Sequence, residues 1–467
     1  MTDTNADYKD FGRGAGATDA SVVHQKSESI HLEAPGTGVA DTWRAMGPGV
    51  AAAMTGIGAS HIIHGPTAGA TYGYAFLWII PVAYLLKYAC FEFAQRYTMV
   101  KGESVMEAYG RVGRWPFWYL GFQSLANTLG IAGRALGCGA MLYAAFPFIP
   151  LEYWALFILV FSVGILWLGQ YDALEKVVKL AIIIFALSTF FAFALQSPPP
   201  GDYLGRLMPS LAPAGAMILF GAMFGYFPTT TEVSPMQSNW AVDKQSGMVK
   251  VRKLREAGHT VTMDKNYMKN SMLLFKRDMN ISYIVSMVTG MIFLIIGAAV
   301  LNPIGLVPKG SEMGATIAKI YTDTFGAWIF PFIIAGGIAA LFSTVFTYFD
   351  GQARVFEECA VRLRKNLDTP EKRKMLYRGF QVLWVVTGAL IIFGLPRPVL
   401  VVQIASVLAL LFSPVIYWLN IRAIKDNFND EFERSFLPGP ILMGLAWVGT
   451  VGMAVISLYV LTMMVVG

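Results

Sequence analysis

Gly47-Pro48-Gly49 opens a membrane-length segment that runs through Gly56-Ile57-Gly58-Ala59-Ser60-His61 to His64-Gly65-Pro66. A helix that crosses a bilayer is expected to be uniformly apolar, because hydrocarbon offers polar groups no partner. Here small residues and two His interrupt the run at its centre, so unwound backbone lining a cavity is expected at membrane depth. Such a cavity reads as the binding site of a transporter.

The surrounding chain fits that reading. Its 467 residues are 55% hydrophobic and 14% charged, with mean hydropathy +0.53, and long apolar runs recur from Val50 to the C-terminus. An integral membrane protein with no sizeable soluble domain follows. Cys90, Cys138 and Cys359 form no spaced cluster, so packing is their expected role rather than a disulfide or metal motif. Residues 1–42 are polar, with no apolar stretch resembling a signal peptide, and are expected to be a disordered cytoplasmic tail; residues 43–467 form the transmembrane domain. The net charge of +6 does not call for a nucleic-acid partner, because the basic residues sit in short loops between apolar segments, where topology explains them.

Windows of about 20 apolar residues place spans at 47–71, 74–98, 115–146, 152–171, 175–196, 213–240, 279–301, 325–349, 376–394, 398–420 and 438–465, about eleven in all. Lys101, Arg111 and Arg114, then Lys176 and Lys179, then the Lys244–Arg277, Arg354–Lys374 and Arg422–Arg434 stretches all fall on one side. That bias puts the N-terminus in the cytoplasm and, for an odd number of spans, the C-terminus outside. The Lys244–Arg277 stretch is expected to be a solvated loop, with a lipid-binding or regulatory patch as the other reading. Trp78, Trp115, Trp118 and Trp154 lie near span ends, as interfacial anchors do.

The sixth span carries Gly221-Ala222-Met223-Phe224-Gly225-Tyr226-Phe227-Pro228-Thr229-Thr230-Thr231-Glu232. Pro228 lacks a backbone donor and clashes with the preceding turn, so a break is expected there. Gly and Pro often serve only packing or kinks in membrane helices. Interruptions in the first and sixth spans, however, occupy matching places in two five-span halves, the pattern of an inverted repeat with a midplane site. The halves are 43–200 and 213–420, with 438–465 as an extra helix.

At these residues the chain resembles the Nramp family of proton-coupled divalent metal transporters. The likeness runs through Gly47-Pro48-Gly49, Ala68-Gly69-Ala70, Leu77-Trp78, Ala94-Gln95-Arg96, Val100-Lys101-Gly102 and Glu107, and continues through Gly221-Ala222 and Gly351-Gln352. It implies an all-α fold of the leucine-transporter type, a 5+5 inverted repeat with discontinuous helices 1 and 6. The family's Asp-Pro-Gly-Asn motif falls on Gly58-Ala59-Ser60-His61, so its metal-binding carboxylate is absent. The family's Met-Pro-His falls on Gly225-Tyr226-Phe227, or on Phe227-Pro228-Thr229 if the prolines are matched, and neither alignment restores the Met or the His. Acidic residues that the family places in the third span for proton movement are missing, and Arg134 stands at or beside one of them.

The candidate substrate-binding residues are therefore Gly58, Ala59, Ser60, His61, Gly225, Tyr226, Phe227, Thr229, Thr230 and Gln403, the last from its resemblance to a polar position in the tenth span. A bare divalent cation needs carboxylates or other strong donors, and this set is poor in them. Glu232 can supply one carboxylate, a hydrated Mg²⁺ in a wider pocket remains open, and His61 is the metal ligand if there is one. Half-helix N-termini together with His61, His64 and Arg134 suit an anion such as bicarbonate or an organic acid. His61 and His64, at i,i+3, share a helical face and could serve as a metal pair, a proton relay or a hydrogen-bonded pair. Arg134 is a functional candidate by its depth, or is locked to Glu92 or Asp350 as structural glue. Asp350 could also sit at the membrane boundary.

Taken together, these features predict a secondary transporter working by alternating access in the plasma or inner membrane. It would use no cofactor, act as a monomer or weak oligomer, and carry either a divalent metal or a small anion or polar solute. A non-transporting receptor of the same fold is the alternative. No nucleophile–base pair or phosphate-binding glycine loop indicates an enzyme.

Overall fold

Pro228 has no N–H to continue a helix, and the chain stops coiling there. The computed structural model describes residues 29–49, 57–168, 185–210, 212–213 and 215–466. Strand β1 (Ser29–Leu32) leads to α1 (Val39–Ala45); a π-helical turn (Ser60–His64) runs into α2 (Gly65–Tyr72). Then follow α3 (Ile79–Lys101), α4 (Val105–Val112), α5 (Trp115–Ala126), α6 (Thr128–Ala145) and α7 (Leu151–Leu168), and α8 (Phe185–Gln196). The second half holds α9 (Met217–Tyr226), α10 (Val233–Asp243), α11 (Met248–Glu256), β2 (Thr260–Met263), α12 (Tyr267–Val300) and α13 (Met313–Phe325). It closes with α14 (Phe330–Leu363), α15 (Pro370–Gly394), α16 (Pro398–Asn427) and α17 (Pro440–Val466).

The eleven expected spans are each largely helical in their described parts, the sixth on both sides of its break, and the protein is an all-α, multi-pass membrane protein. Six helices are long and apolar enough to cross a bilayer among the described residues. Outer helices such as α7 and α17 expose Val160, Leu458 and Val465, the apolar surface that lipid covers. The core is buried against α3, α6, α9, α12, α14 and α16. Small residues let these backbones meet: a side chain at Gly69 would strike the carbonyl of Leu294, and one at Gly225 the carbonyl of Ser406.

The first break differs from expectation. From Ile57 onward the chain stays helical, and Gly65 N–H reaches the carbonyl of Ser60, five residues back. Pro66 has no N–H to bond Ile62, so the turn before it widens instead of unwinding. Residues 50–56, including Gly56, lie outside the described residues.

The side that carries the basic loops is more built than a tail and a solvated loop. Residues 1–28 of the expected tail lie outside the described residues, as do Lys176 and Lys179. Residues 29–42, expected within that tail, contain β1 and most of α1. β1 pairs in parallel with β2, from Ser29 opposite Thr260 to Leu32 opposite Met263. Lys244 Nζ donates to the carbonyls of Ala45 and Met46, at the C-terminal end of α1 where a cation is favoured, and Arg277 donates to the carbonyl of Thr37. The stretch 244–277 is therefore largely α11, β2 and the start of α12. Helices α12, α14 and α16 also run beyond their expected spans; in α14 and α16 charged ends pair along the helix, as Arg362 Nε does with Glu358 at 2.7 Å. Trp115 and Trp118 are exposed, but Trp78 is buried against Phe220 and Phe224 and is no interfacial anchor.

Candidate functional site

The second break runs from Phe227 to Glu232, between α9 and α10. Ending a helix frees its last carbonyls, and here Lys87, from the middle of α3, takes one of them and one carbonyl of the break itself. Its Nζ donates to Gly225 O at 2.7 Å and Thr229 O at 3.0 Å. The side chain is 0% exposed. Thr230 Oγ1 bonds the hydroxyl of Tyr348 from α14, with Thr229 Oγ1 at 3.5 Å from the same oxygen.

The π turn sends its two His apart, contrary to a shared face. An i→i+5 turn holds more residues than an α turn, so positions i and i+3 fan out. His61 Nδ1 lies 2.8 Å from Ser60 Oγ, and Nε2 lies 2.8 Å from the carbonyl of Ser286 and 3.2 Å from Tyr84 Oη. Its ring lies 5.1 Å from that of Phe227. His61, Ser60 and Phe227 thus form a knot that ties the first break to α3 and α12. His64 turns the other way: Nε2 lies 2.8 Å from Ser406 Oγ of α16, and its ring lies 5.6 Å from that of Tyr226. Its Nδ1 is buried without a hydrogen-bond partner. Gly58 is pressed against Thr344 and Ala59 is buried beside it in sequence.

Arg134 meets neither Glu92 nor Asp350. Glu92 is taken by Arg96, one turn along α3, and Asp350 by Arg354 and Tyr377. The guanidinium carbon of Arg134 instead lies 3.9 Å from the centroid of the Tyr348 ring and 4.7 Å from that of Tyr226. Only 1% of the side chain is exposed, yet Nε and Nη1 have no hydrogen-bond partner, and neither has Tyr226 Oη. A side chain at Gly130 would lie 2.8 Å from both Arg134 Nη1 and Tyr226 Oη and 3.1 Å from Asn127 Oδ1. The guanidinium edge, the Tyr226 hydroxyl and Asn127 Oδ1 are therefore gathered against this glycine, packed too closely to admit even a methyl group without a shift.

Among the described residues the buried charged side chains are Lys87, Glu92, Arg96, Arg134, Glu232 and Asp278. Glu92 and Arg96 neutralise each other. Asp278 sits apart, accepting from Gly49 N–H at 2.8 Å. Glu232 accepts from Gln123 Nε2 at 3.1 Å and Asn127 Nδ2 at 2.6 Å. The centre thus holds two formal cations, Lys87 and Arg134, against one carboxylate.

Gln403 stands apart from this centre. It lines a vestibule of about 520 Å³ with Thr67, Thr71, Tyr72, Lys309 and Arg397. The residue that α16 brings to His64 is Ser406, one turn further along. The vestibule lining includes two cationic side chains and no acid. On the basic side of the breaks, a cavity of about 20 Å³ between Gly49, Pro228, Thr229 and Ser286 has room for about one water molecule.

Sequence reasoning missed Lys87, Tyr84, Gly130, Ser286, Tyr348 and Ser406. Lys87 carried the same signal as Arg134, an ionisable residue at the centre of an apolar span. The hydroxyl residues and Gly130 carried none, because such residues are ordinary in membrane helices.

A family model described as "Natural resistance-associated macrophage protein-like" matches residues 49–463. An uncharacterised protein of Pasteurella multocida is 28% identical over 404 residues, covering 82% of this chain and 86% of its own. The divalent metal cation transporter MntH of Mycobacterium tuberculosis is 25% identical over 197 residues, covering 40% of this chain and 45% of its own. In structure, a mutant of the Eremococcus coleocola manganese transporter superposes with TM-score 0.65 at 16% identity, over 94% of this chain and 90% of that one. MhsT in complex with L-phenylalanine superposes with TM-score 0.51 at 13% identity, over 88% and 97%. The likeness of these two structures is one of fold.

Proposed function

The chain belongs to the natural resistance-associated macrophage protein-like (Nramp) family, and from that premise we propose that it is a secondary transporter, not an enzyme, that carries a small planar oxyanion by alternating access. Substrate is held at the midplane, between the breaks of the first and sixth spans. The face bearing the basic loops is cytoplasmic and the C-terminus is outside, in the plasma or inner membrane, with a monomer or weak oligomer as the working unit.

The observation that carries the substrate class is Arg134, buried at membrane depth with unspent donors on Nε and Nη1. An arginine side chain at membrane depth is costly unless it is compensated. Two aromatic faces contribute part of that compensation without satisfying its N–H groups. A carboxylate or bicarbonate would satisfy them, since a guanidinium presents planar donors matched to planar oxyanions. It would also balance the formal charge of the centre. The vestibule with Lys309 and Arg397 would draw anions towards His64 from the opposite side.

The names of the Mycobacterium and Eremococcus relatives favour a second reading, a divalent metal ion. In that case His61 is the expected ligand, but both its ring nitrogens are already engaged. The full-length protein in liposomes, challenged with bicarbonate, lactate, succinate, nitrate and Mn²⁺ on a solid-supported membrane, separates the two. Saturable currents with an oxyanion that drop at least tenfold in Arg134→Gln are expected. Mn²⁺ currents indifferent to Arg134→Gln, with no oxyanion response, would overturn the proposal, and silence towards all five would point to a receptor.

A further inference from the structure

The carbonyl end of a broken membrane helix is a cation site by construction. Oxygens that no longer accept an intrahelical bond converge there, and the helix dipole adds negative potential. At the second break two such oxygens are Gly225 O, in the last turn of α9, and Thr229 O, in the unwound segment three residues beyond its end, and both are taken by the ammonium group of Lys87. Lysine gives three donors and a compact charge, and its flexible stem reaches across from α3, which packs along both α9 and α10. Glu232, just after the break, is within electrostatic reach of the same group.

We infer that Lys87 is a tethered cation that fills the cation site of the second break, so that the protein works without a bound Na⁺ or other free monovalent cation. The inference rests on the alternating-access reading for its consequence in transport, though occupancy of the site can be tested without it. A free ion can enter and leave with each cycle, whereas a cation fixed to α3 cannot. The break therefore keeps its counter-charge in every state, and a monovalent cation gradient has no site there through which to drive transport.

The first arm of the test is the thermal stability of the purified full-length protein in NaCl, NH₄Cl or choline chloride at constant ionic strength. The wild type is expected to melt at the same temperature in all three. Lys87→Ala is expected to melt lower in choline, and NH₄⁺ or Na⁺ should restore it saturably. A saturable Na⁺ response of the wild type, or a folded Lys87→Ala protein indifferent to every small cation, would overturn the inference. If Lys87→Ala does not fold, the wild-type titration decides. The second arm reads oxyanion currents, which a merely structural lysine would not make dependent on cations: the wild type should be equal in Na⁺ and choline, and Lys87→Ala at least tenfold lower in choline and recovered by NH₄⁺. Absence of any oxyanion current would sink the transport proposal, while the stability arm would still decide the role of Lys87.

Discussion

Arg134 lies over the ring of Tyr348, 3.9 Å from guanidinium carbon to ring centroid, where neither side chain reaches water. A ring face attracts the charge but accepts none of the N–H groups at hydrogen-bond strength. The guanidinium is thus held in place with its edges still unsatisfied. A desolvated pair of this kind is worth about 2 kcal/mol. Tyr348→Leu should therefore lower the melting temperature and weaken the oxyanion response. Tyr348→Phe keeps the ring and loses the hydroxyl's bond to Thr230 and its longer contact to Thr229, a cost of about 1 kcal/mol. Equal losses in the two variants would show that the hydroxyl, not the ring, matters.

Gly130→Ala tests the placement of the Arg134 donors. The added methyl would press on Arg134 Nη1 and Tyr226 Oη at 2.8 Å, so the guanidinium edge offered to the anion would have to shift. Replacing a helical glycine with alanine favours the helix by roughly 0.5–1 kcal/mol, which offsets some of the crowding. Oxyanion currents should fall at least tenfold while the melting temperature shifts by only a few degrees. Full currents in Gly130→Ala would place the substrate elsewhere.

The bundle was legible because its signals are long-range and redundant: apolar runs, one-sided basic loops, and Pro and Gly at matching places in two halves. The site was legible only where a residue was unusual for its depth, as Arg134 and the two His are. Gln403 and Ser406 sit one turn apart on α16, and only the structure shows which of them His64 meets. The shared face expected of His61 and His64 failed because Pro66 converts the turn before it from α to π. The order of residues 29–42 was hidden for another reason. Ser29–Leu32 is too short and too polar to stand out, and its partner Thr260–Met263 lies more than 200 residues away.

His61 and His64 should respond differently to truncation. His61→Ala breaks the bonds to Ser60, the Ser286 carbonyl and Tyr84 and leaves a cavity, a loss of roughly 2–4 kcal/mol, and should act mainly on stability. His64→Ala opens a similar cavity, since both rings are fully buried, but Ser406 also donates to the carbonyl of Val402 at 2.6 Å and stays satisfied, so the loss should be about 1 kcal/mol smaller than for His61→Ala. The His64→Ala change should also lower currents, since His64 packs on the Tyr226 ring that lies under Arg134. Melting curves and currents of both variants check the contrast, which fails if His64→Ala is the less stable protein.

Acid sensitivity should come in part from Glu103, in the turn between α3 and α4 outside the spans. Burial alone would raise its carboxyl, but bonds from Tyr97 and Arg111 and the nearby Arg111 and Arg252 outweigh that and hold it below the usual range. Arg252 of α11 donates to the second oxygen at 2.7 Å, so one carboxylate joins α3, α4 and α11. A group depressed in the folded state stabilises fully above its unfolded value of about 4.3, and the benefit is lost as pH falls through the folded value. The melting temperature should therefore hold as the pH falls from neutral towards about 5 and drop below it. Glu103→Gln lacks charge at every pH, so it should be less stable at pH 7 by roughly 1–3 kcal/mol. The gap from wild type should close as the acid limb is reached, because protonation makes the two side chains nearly equivalent. Parallel curves down to pH 3.5 would mean that the carboxylate is not linked to folding.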